Sequence, residues 1–518
     1  MSKIKSFFSN WLSYLVLAFV VIAAFYLRVY KIGDLMGFYY DQGRDALVIW
    51  NLWHSGKFFL IGPVTGLSGI FLGPFYYFLI APLYLIGGGN PLLPMVFLAI
   101  LSALSLLLIF ELGRQIHSRS AGLIAAVVAG FSYYIIYYSR WLSNPNPMLL
   151  LSMIFFYSLW KIISGGRRRW WPVSAFVVGV SLHFESASAF FYLFIYFLFI
   201  LWFLIRYLKG LKGGLIGSKF WRFVKLNSRL IIVSCICLLV TFIPQIIFNF
   251  RHDNLLMDNF LKLFTEEKAF SKPLTVSVLE TRIAYFWSAF MGKIFIGWNK
   301  QAYIFAALSL ASLILGKKHL AKGTLPLFSI FLITPMLGYI LFQGNFGNIY
   351  DYYLIGYFLP FILLFSIGLA EFSTTLLGKL LLLLFFVYFF RVNMIPIRAM
   401  IKNPMDGPTD IKLGSQIRAV DWVFENAAGR GVYNVDVYVP PVIPYAYDYL
   451  FLWQGWKKCG ESLCGKVDYT TSMIYTLYEQ DPPNPQRLKA WLDNQQGASF
   501  VEEEARFGGI TVQRRRRL

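Results

Sequence analysis

Charge is what this sequence has least of. Only 14% of its 518 residues are Asp, Glu, Lys or Arg, against roughly 25% in an ordinary soluble domain. With 58% hydrophobic and 19% aromatic residues, that scarcity excludes a simple soluble fold. Acidic residues are scarcer than basic ones, 26 against 47, for a net charge of +21. Most of the excess falls in short loops between apolar runs, where it marks membrane topology and contact with anionic headgroups. Nucleic acid is therefore not an expected partner. Cysteines number four. Cys235 and Cys237 lie inside an apolar run and read as inert packing residues. Cys459 and Cys464 flank a short loop, where an outer compartment permits a disulfide that two cysteines alone cannot establish. No second pair follows, so this pair does not read as a metal site. The chain also lacks His-x-x-His or clustered-acid spacing. Metal is left unresolved: a divalent cation would need Asp41 and another acid as hard oxygen ligands. No internal repeat is visible.

What the chain has instead is apolar runs approaching the roughly 20 residues that span a bilayer. The run from Trp11 to Leu27 continues into Arg28 without a small-residue cleavage site, so it reads as a retained first span rather than a signal peptide. Further spans are expected at 93–112, 120–138, 147–163, 171–184, 187–205, 229–248, 301–316, 324–342, 353–370 and 376–393. The segment 69–87 is apolar but carries Gly73-Pro74, Pro82 and Gly87-Gly88-Gly89, and proline kinks a helix. If it does not span, Lys3 and Lys5, Arg114 and Arg119, Arg167–Arg169, the basic run from Arg206 to Arg229, and Lys317, Lys318 and Lys322 all share one side. If it spans, the N-terminus disagrees with every later basic loop. The positive-inside rule selects the first arrangement, with the N-terminus cytoplasmic and eleven spans in all. Segment 69–87 becomes a re-entrant or interfacial helix, tolerated where it is buried in protein or lines a cavity. It lies in a long first outer loop from about Arg28 to Pro91. A second long outer loop runs from Asn249 to about Lys300.

After Arg391 the apolar runs stop. The expected fold is a polytopic all-α membrane domain over residues 1–394, with juxtamembrane helices in its first outer loop. A small soluble α/β domain follows over 395–518, outside the membrane, with helices at 414–427 and 484–495 and strand-like runs at 433–439 and 498–513. The closing Arg514–Arg517 run reads as a solvated or lipid-touching tail.

The polar residues of the outer loops are a biased set: Asp41, Arg44, Asp45, His54 and Lys57; Arg140, Asn144 and Asn146; His183 and Glu185; Arg251, His252 and Asp253; Asp351, Tyr352 and Tyr353. Two carboxylates and a guanidinium beside a lipid surface are expensive to keep there, which makes Asp41-Gln42-Gly43-Arg44-Asp45 the leading candidate for chemistry. Each residue also has a plainer reading. Asp41 and Arg44 can form a structural ion pair, and Asp45 is either a rival base or an anchor for Arg44. Arg140 can snorkel to headgroups. His183 can be a hydrogen-bonded structural histidine, Arg251 and His252 boundary anchors, and Tyr352 part of an aromatic belt.

Further marks accompany that motif: Leu60-Ile61-Gly62-Pro63, Gly69-Ile70-Phe71-Leu72-Gly73-Pro74-Phe75-Tyr76-Tyr77, Ser139-Arg140, Leu182-His183, Pro244 with Arg251-His252, and Asp351-Tyr352-Tyr353-Leu354. In this order and topology, over about residues 10–395, the pattern resembles the GT-C glycosyltransferases. The branch is that of the protein O-mannosyltransferases, aminoarabinose transferases and Rgt-type bacterial enzymes. The resemblance implies a membrane glycosyltransferase of the cell envelope. Its donor would be a polyprenyl-phosphate sugar and the first-loop carboxylate its base. The sequence departs from the mannosyltransferase branch at Gln42, where that branch has a second acid, and at Gly73-Pro74, where it has a His-Pro-Pro-type stretch. Both departures bear on the acceptor more than on the reaction.

The chemistry is also sensible from the residues themselves. Sugar transfer passes through an oxocarbenium-like state. A phosphate leaving group is stable as an anion, so cations can replace the acid that a glycosidase needs. Asp41 is then the expected base, with inversion at the sugar and Asp45 as second candidate. Arg44, Arg140, His183, Arg251, His252 and Tyr352 are the candidates for holding donor and phosphate. The acceptor is a glycan, a lipid or a protein hydroxyl. The alternative class is a transporter or flippase of a lipid-linked sugar, since charges and broken helices also mark carriers. Against it, the polar residues cluster on one face and no inverted repeat is present.

Overall fold

The structure, a computed structural model, describes residues 2–66, 69–210, 216–266, 269–270, 273–297, 299–344, 349–402, 410–440 and 443–518. Residues 211–215 of the expected basic loop and 403–409 near the expected domain boundary lie outside them.

Among the described residues, seven helices are long and apolar enough to cross a membrane. They are Trp11–Val29, Leu92–Ile116, Ser186–Gly210, Gly217–Arg251, Thr324–Leu341, Asp351–Thr374 and Leu376–Lys402. Arg119–Phe131 and Tyr133–Ser139 form an eighth, bent by 62°. Met148–Ile163, Trp170–Phe184 and Lys300–Leu315 are apolar but shorter. Each expected span therefore has its helix. The helix through 351–374 is the axis of the bundle, with 89% of its apolar window buried, whereas Gly217–Arg251 is peripheral, with 6% buried. The last helix runs on through Pro396 to Lys402.

Segment 69–87 yields the helix Phe75–Ile86 of 12 residues. At 1.5 Å per residue it covers about 18 Å, well short of the roughly 30 Å hydrocarbon layer. Its Tyr76, Tyr77, Ile80, Ala81 and Tyr84 are buried in protein. The basic loops meet at the opposite end of the bundle. Lys161 donates to Gln115 at 2.9 Å, and Ala321 N–H to the Ile116 carbonyl at 3.1 Å. Glu371 receives both His117, at 2.8 Å, and His319, at 3.2 Å.

Residues 410–518 form a four-stranded sheet in the order β1-β2-β4-β3, with β1 Asn434–Tyr438, β2 Met473–Glu479, β3 Ser499–Phe507 and β4 Ile510–Arg517. β1 runs parallel to β2, and the other pairs are antiparallel. Helices Leu413–Ala427, Tyr445–Cys459 and Pro485–Ala498 complete the unit, and Cys459 and Cys464 form a disulfide. The arginine run is not a tail. It is the end of β4, where Arg514 bridges Glu502 at 3.0 Å and Glu503 at 2.8 Å, and Arg516 bridges Glu502 at 2.8 Å. Arg515 is 2% exposed and donates to the side-chain and backbone oxygens of Ser499 at 2.8 and 3.0 Å. Opposite charges facing each other across antiparallel strands stabilise the pairing.

This unit is seated on the first loop. Gln416 donates to the Phe38 carbonyl at 2.9 Å, Tyr39 to that of Ile411 at 3.0 Å, and Trp453 to that of Gly88 at 2.8 Å. Tyr449 donates to the Gly89 carbonyl. The closest approach is at Gly43, where a Cβ would fall 2.3 Å from the backbone nitrogen of Ala446. Backbone cannot yield as a flexible side chain can. Gly43→Ala is expected to cost about 1–3 kcal/mol of packing, read as faster proteolytic separation of the C-terminal unit. Wild-type resistance in that variant would contradict the close approach.

Candidate active site

The first-loop helix Tyr40–Ser55 carries the motif. Its first turn is fixed by Gln42, whose side chain accepts the Tyr39 N–H at 3.0 Å and donates to the Leu142 carbonyl at 3.0 Å. Gln42 is thus a structural residue, which accounts for the absence of a second acid there. The helix ends at Gly56, in the left-handed region at φ 62°, where glycine avoids the Cβ clash. Asp41, Arg44 and Asp45 are three and four residues apart and share one helical face.

Arg44 stands between the two acids, 2.9 Å from Asp41 and 2.8 Å from Asp45. The acids differ in surroundings. The Asp45 side chain is 5% exposed and also accepts the Tyr77 hydroxyl at 2.8 Å. Burial pushes its carboxyl up to about 6, against the pull of Arg44 and Tyr77. The Asp41 side chain is 54% exposed. Asp45 therefore anchors Arg44, and Asp41 is the carboxylate open to a ligand.

Asp41 and Arg44 line a cavity of about 430 Å³. Its other polar groups come from several elements: Thr65 in the first loop, Ser143 and Asn144 after the bent helix, Glu185 before a span and Ser186 at its start, Gln245, and Tyr339, Tyr352 and Tyr353. Its apolar wall includes Phe190, Phe260, Phe270 and Phe342. Phe190 and Phe342 both reach Phe270, with ring centroids 6.5 and 5.3 Å away.

Tyr352 sits in the short 3-10 turn Asp351–Leu354. Asp351 ties that turn down, accepting the Tyr138 hydroxyl at 2.6 Å and pairing with Lys293. Lys293 is 1% exposed and lies over the rings of Tyr134 and Phe358 at 4.5 and 4.9 Å. Lys293 is absent from the sequence-derived candidates, although a lone cation in the apolar run Phe290–Ile296 is the signal that marks such a residue. Glu185 belongs to the polar set of the outer loops but not to the candidates drawn from it.

Four candidate phosphate ligands lie outside the cavity lining. Arg140 is 7% exposed. It does not snorkel to headgroups: its Nη1 donates to the carbonyls of Leu27, Arg28 and Tyr30 at 2.9, 3.2 and 3.0 Å. Those carbonyls end the first span, where a helix leaves its acceptors unsatisfied and favours a cation. His183 is fully buried and packs on Phe75 with centroids 4.6 Å apart. A Cβ at Gly73 would fall 1.7 Å from its Nδ1, so the imidazole explains the glycine of Gly73-Pro74. Arg251 and His252 end the helix Ile243–Arg251 in exposed positions, His252 stacked on Phe248 at 4.0 Å. Among the described residues, no group of three or more His, Cys, Asp or Glu side chains is placed to hold a metal. The neighbour of Asp41 is a guanidinium rather than a second acid, so the donor set does not fit a divalent cation. Among the described residues, none of the cavity lining belongs to 410–518. The C-terminal unit supports the motif helix from outside the cavity.

No curated protein sequence matches the chain. Residues 72–248 match the family described as dolichyl-phosphate-mannose-protein mannosyltransferase. Among solved structures, the chain is similar to ArnT from Cupriavidus metallidurans bound to undecaprenyl phosphate, with a TM-score of 0.59 at 11% identity over 98% of both chains. The apo state of that protein gives 0.56 at 11% identity, again over 98% of both chains. The Archaeoglobus fulgidus oligosaccharyltransferase in complex with Zn and sulfate gives 0.51 at 14% identity, over 90% of this chain and 68% of that one. The chain thus has the fold of these membrane proteins, and residues 72–248 carry the pattern of that mannosyltransferase family.

Proposed function

We propose that the chain moves a sugar from a polyprenyl-phosphate donor to a hydroxyl acceptor, with Asp41 as general base and inversion at the anomeric carbon. The observation that carries this reading is the composition of one cavity. An accessible carboxylate and a fixed guanidinium line it together with a phenylalanine wall. A lipid phosphate needs such a combination. The wall suits the prenyl chain, and the guanidinium suits the phosphate. The undecaprenyl phosphate named with the similar ArnT structure supports the same donor class.

In the proposed step Asp41 takes the proton of the acceptor hydroxyl as its oxygen attacks the anomeric carbon. The bond from that carbon to the phosphate oxygen breaks, and its electron pair leaves with the polyprenyl phosphate. Arg44 offsets the charge that develops there. Attack opposite the leaving group inverts the centre. Asp45, itself receiving the Tyr77 hydroxyl, holds Arg44 in position, and Tyr352 lines the donor side. The cavity shares its end of the bundle with the first loop and the C-terminal unit, away from the basic loops. With basic loops cytoplasmic, transfer takes place on the outer face, and the N-terminus lies inside.

The test is release of free polyprenyl phosphate by the protein in lipid, supplied with polyprenyl-phosphate hexoses and pentoses and a crude membrane acceptor. Release that depends on the acceptor is the expected result. Movement of intact donor between leaflets without release would replace the transferase with a carrier.

A further inference from the structure

Glu185 lies between the helices Trp170–Phe184 and Ser186–Gly210, is 6% exposed, and lines the cavity. One carboxyl oxygen accepts the Ala187 N–H at 3.1 Å, as a residue preceding a helix commonly does. That cap occupies Oε1 and leaves Oε2 for another partner. Among the described residues no Lys, Arg or His forms an ion pair with it. Tyr339 and Tyr352 line the same cavity, as do Asp41 and Arg44 on the motif helix. Arg44 is already held by two acids.

Arg44 already lines the cavity to serve the phosphate, whose oxygens only accept and so do not use both functions of a carboxyl. Burial pushes the Glu185 carboxyl up to about 8, with the Ala187 N–H pulling the other way. At neutral pH it is protonated and both donates and accepts hydrogen bonds. Sugar hydroxyls have the same dual character. We propose that Glu185 recognises the sugar of the donor by hydrogen bonding to its hydroxyls. The inference rests on the polyprenyl-phosphate reading of this cavity.

The experiment is titration of the full chain in lipid nanodiscs with polyprenyl phosphate and with a panel of polyprenyl-phosphate hexoses and pentoses. The wild type is expected to bind its preferred sugar-bearing lipid about tenfold more tightly than the sugar-free lipid, the scale of one or two hydrogen bonds. Glu185→Ala is expected to lose most of that preference while binding sugar-free polyprenyl phosphate as the wild type does, which also reports that it is folded. Glu185→Gln keeps an acceptor for Ala187 and a donor for the sugar, so it retains the preference. It also removes the weakening of donor binding that ionisation of Glu185 brings above about pH 8. A full preference in Glu185→Ala would overturn the assignment and leave the transferase reading standing. A wild type that neither binds nor turns over any of these lipids would overturn both.

Discussion

Asp41→Asn is expected to reduce sugar transfer about a hundredfold or more, the usual contribution of a positioned general base, without measurable loss of stability. The two halves of this expectation have separate causes. Asparagine nearly matches aspartate in shape and cannot take a proton. The Asp41 side chain is 54% exposed and its ion pair is with Arg44. Exposed pairs contribute little to stability, and Asp45 continues to hold Arg44 through two contacts of 3.0 and 2.8 Å. Release of polyprenyl phosphate by the variant, followed beside its thermal transition, measures both. If release survives at the wild-type rate, Asp41 is not the base. If stability falls along with activity, Asp41 is a structural partner of Arg44 instead.

The second large effect is expected at Asp45, with the opposite signature. Asp45→Asn removes the anion that anchors Arg44 and receives Tyr77. Because burial already favours the neutral acid here, the loss of stability is expected only from partners left unsatisfied, about 1–3 kcal/mol. A guanidinium displaced by an ångström would also lower transfer about a hundredfold. Removing both partners, in Asp45→Asn with Arg44→Gln, is expected to return part of the stability and none of the activity. That non-additivity is the mark of a coupled pair. The wild type adds a pH signature. Asp45 has its carboxyl raised to about 6 in the fold, above the roughly 3.9 of an unfolded chain. Its contribution to stability is therefore full below about pH 4 and is lost as pH rises through 6. Acid does not unfold the protein through this group. Protonation below about 6 weakens the hold on Arg44, so transfer falls on the acid side while stability does not. An acid limb that tracks unfolding would contradict this assignment.

Residues 41–45 are legible in the sequence because their signal is local. Charges beside an apolar run are costly, and the spacing of Asp41, Arg44 and Asp45 is that of one helical face. The positions of the spans are legible for the same reason, as hydropathy is read a window at a time. In the C-terminal unit the helix at 413–427 and the strand at 434–438 fall within a residue or so of the expected ranges. The helix Tyr445–Cys459 and strand β2 have no counterpart among those expectations. Both are rich in tyrosine and buried on more than one side, so neither shows a clean period. The arginine run reads as a tail because its partners, Glu502 and Glu503, oppose it only once the hairpin has formed.

By itself the sequence determined the membrane class, the order of its apolar helices, the non-spanning first-loop helix and the acidic motif, since each depends on neighbours within a turn or a window. Only the tertiary structure decided what each candidate residue faces. Arg140 meets the end of a helix more than a hundred residues earlier. His183 fills the space above Gly73. Glu185 reaches the cavity of Asp41, and Tyr449 reaches the first loop at Gly89. Those encounters follow from how helices and sheet pack across long separations. Periodicity and charge spacing carry no information about such packing, because they report which face of an element is apolar and not what that face will meet.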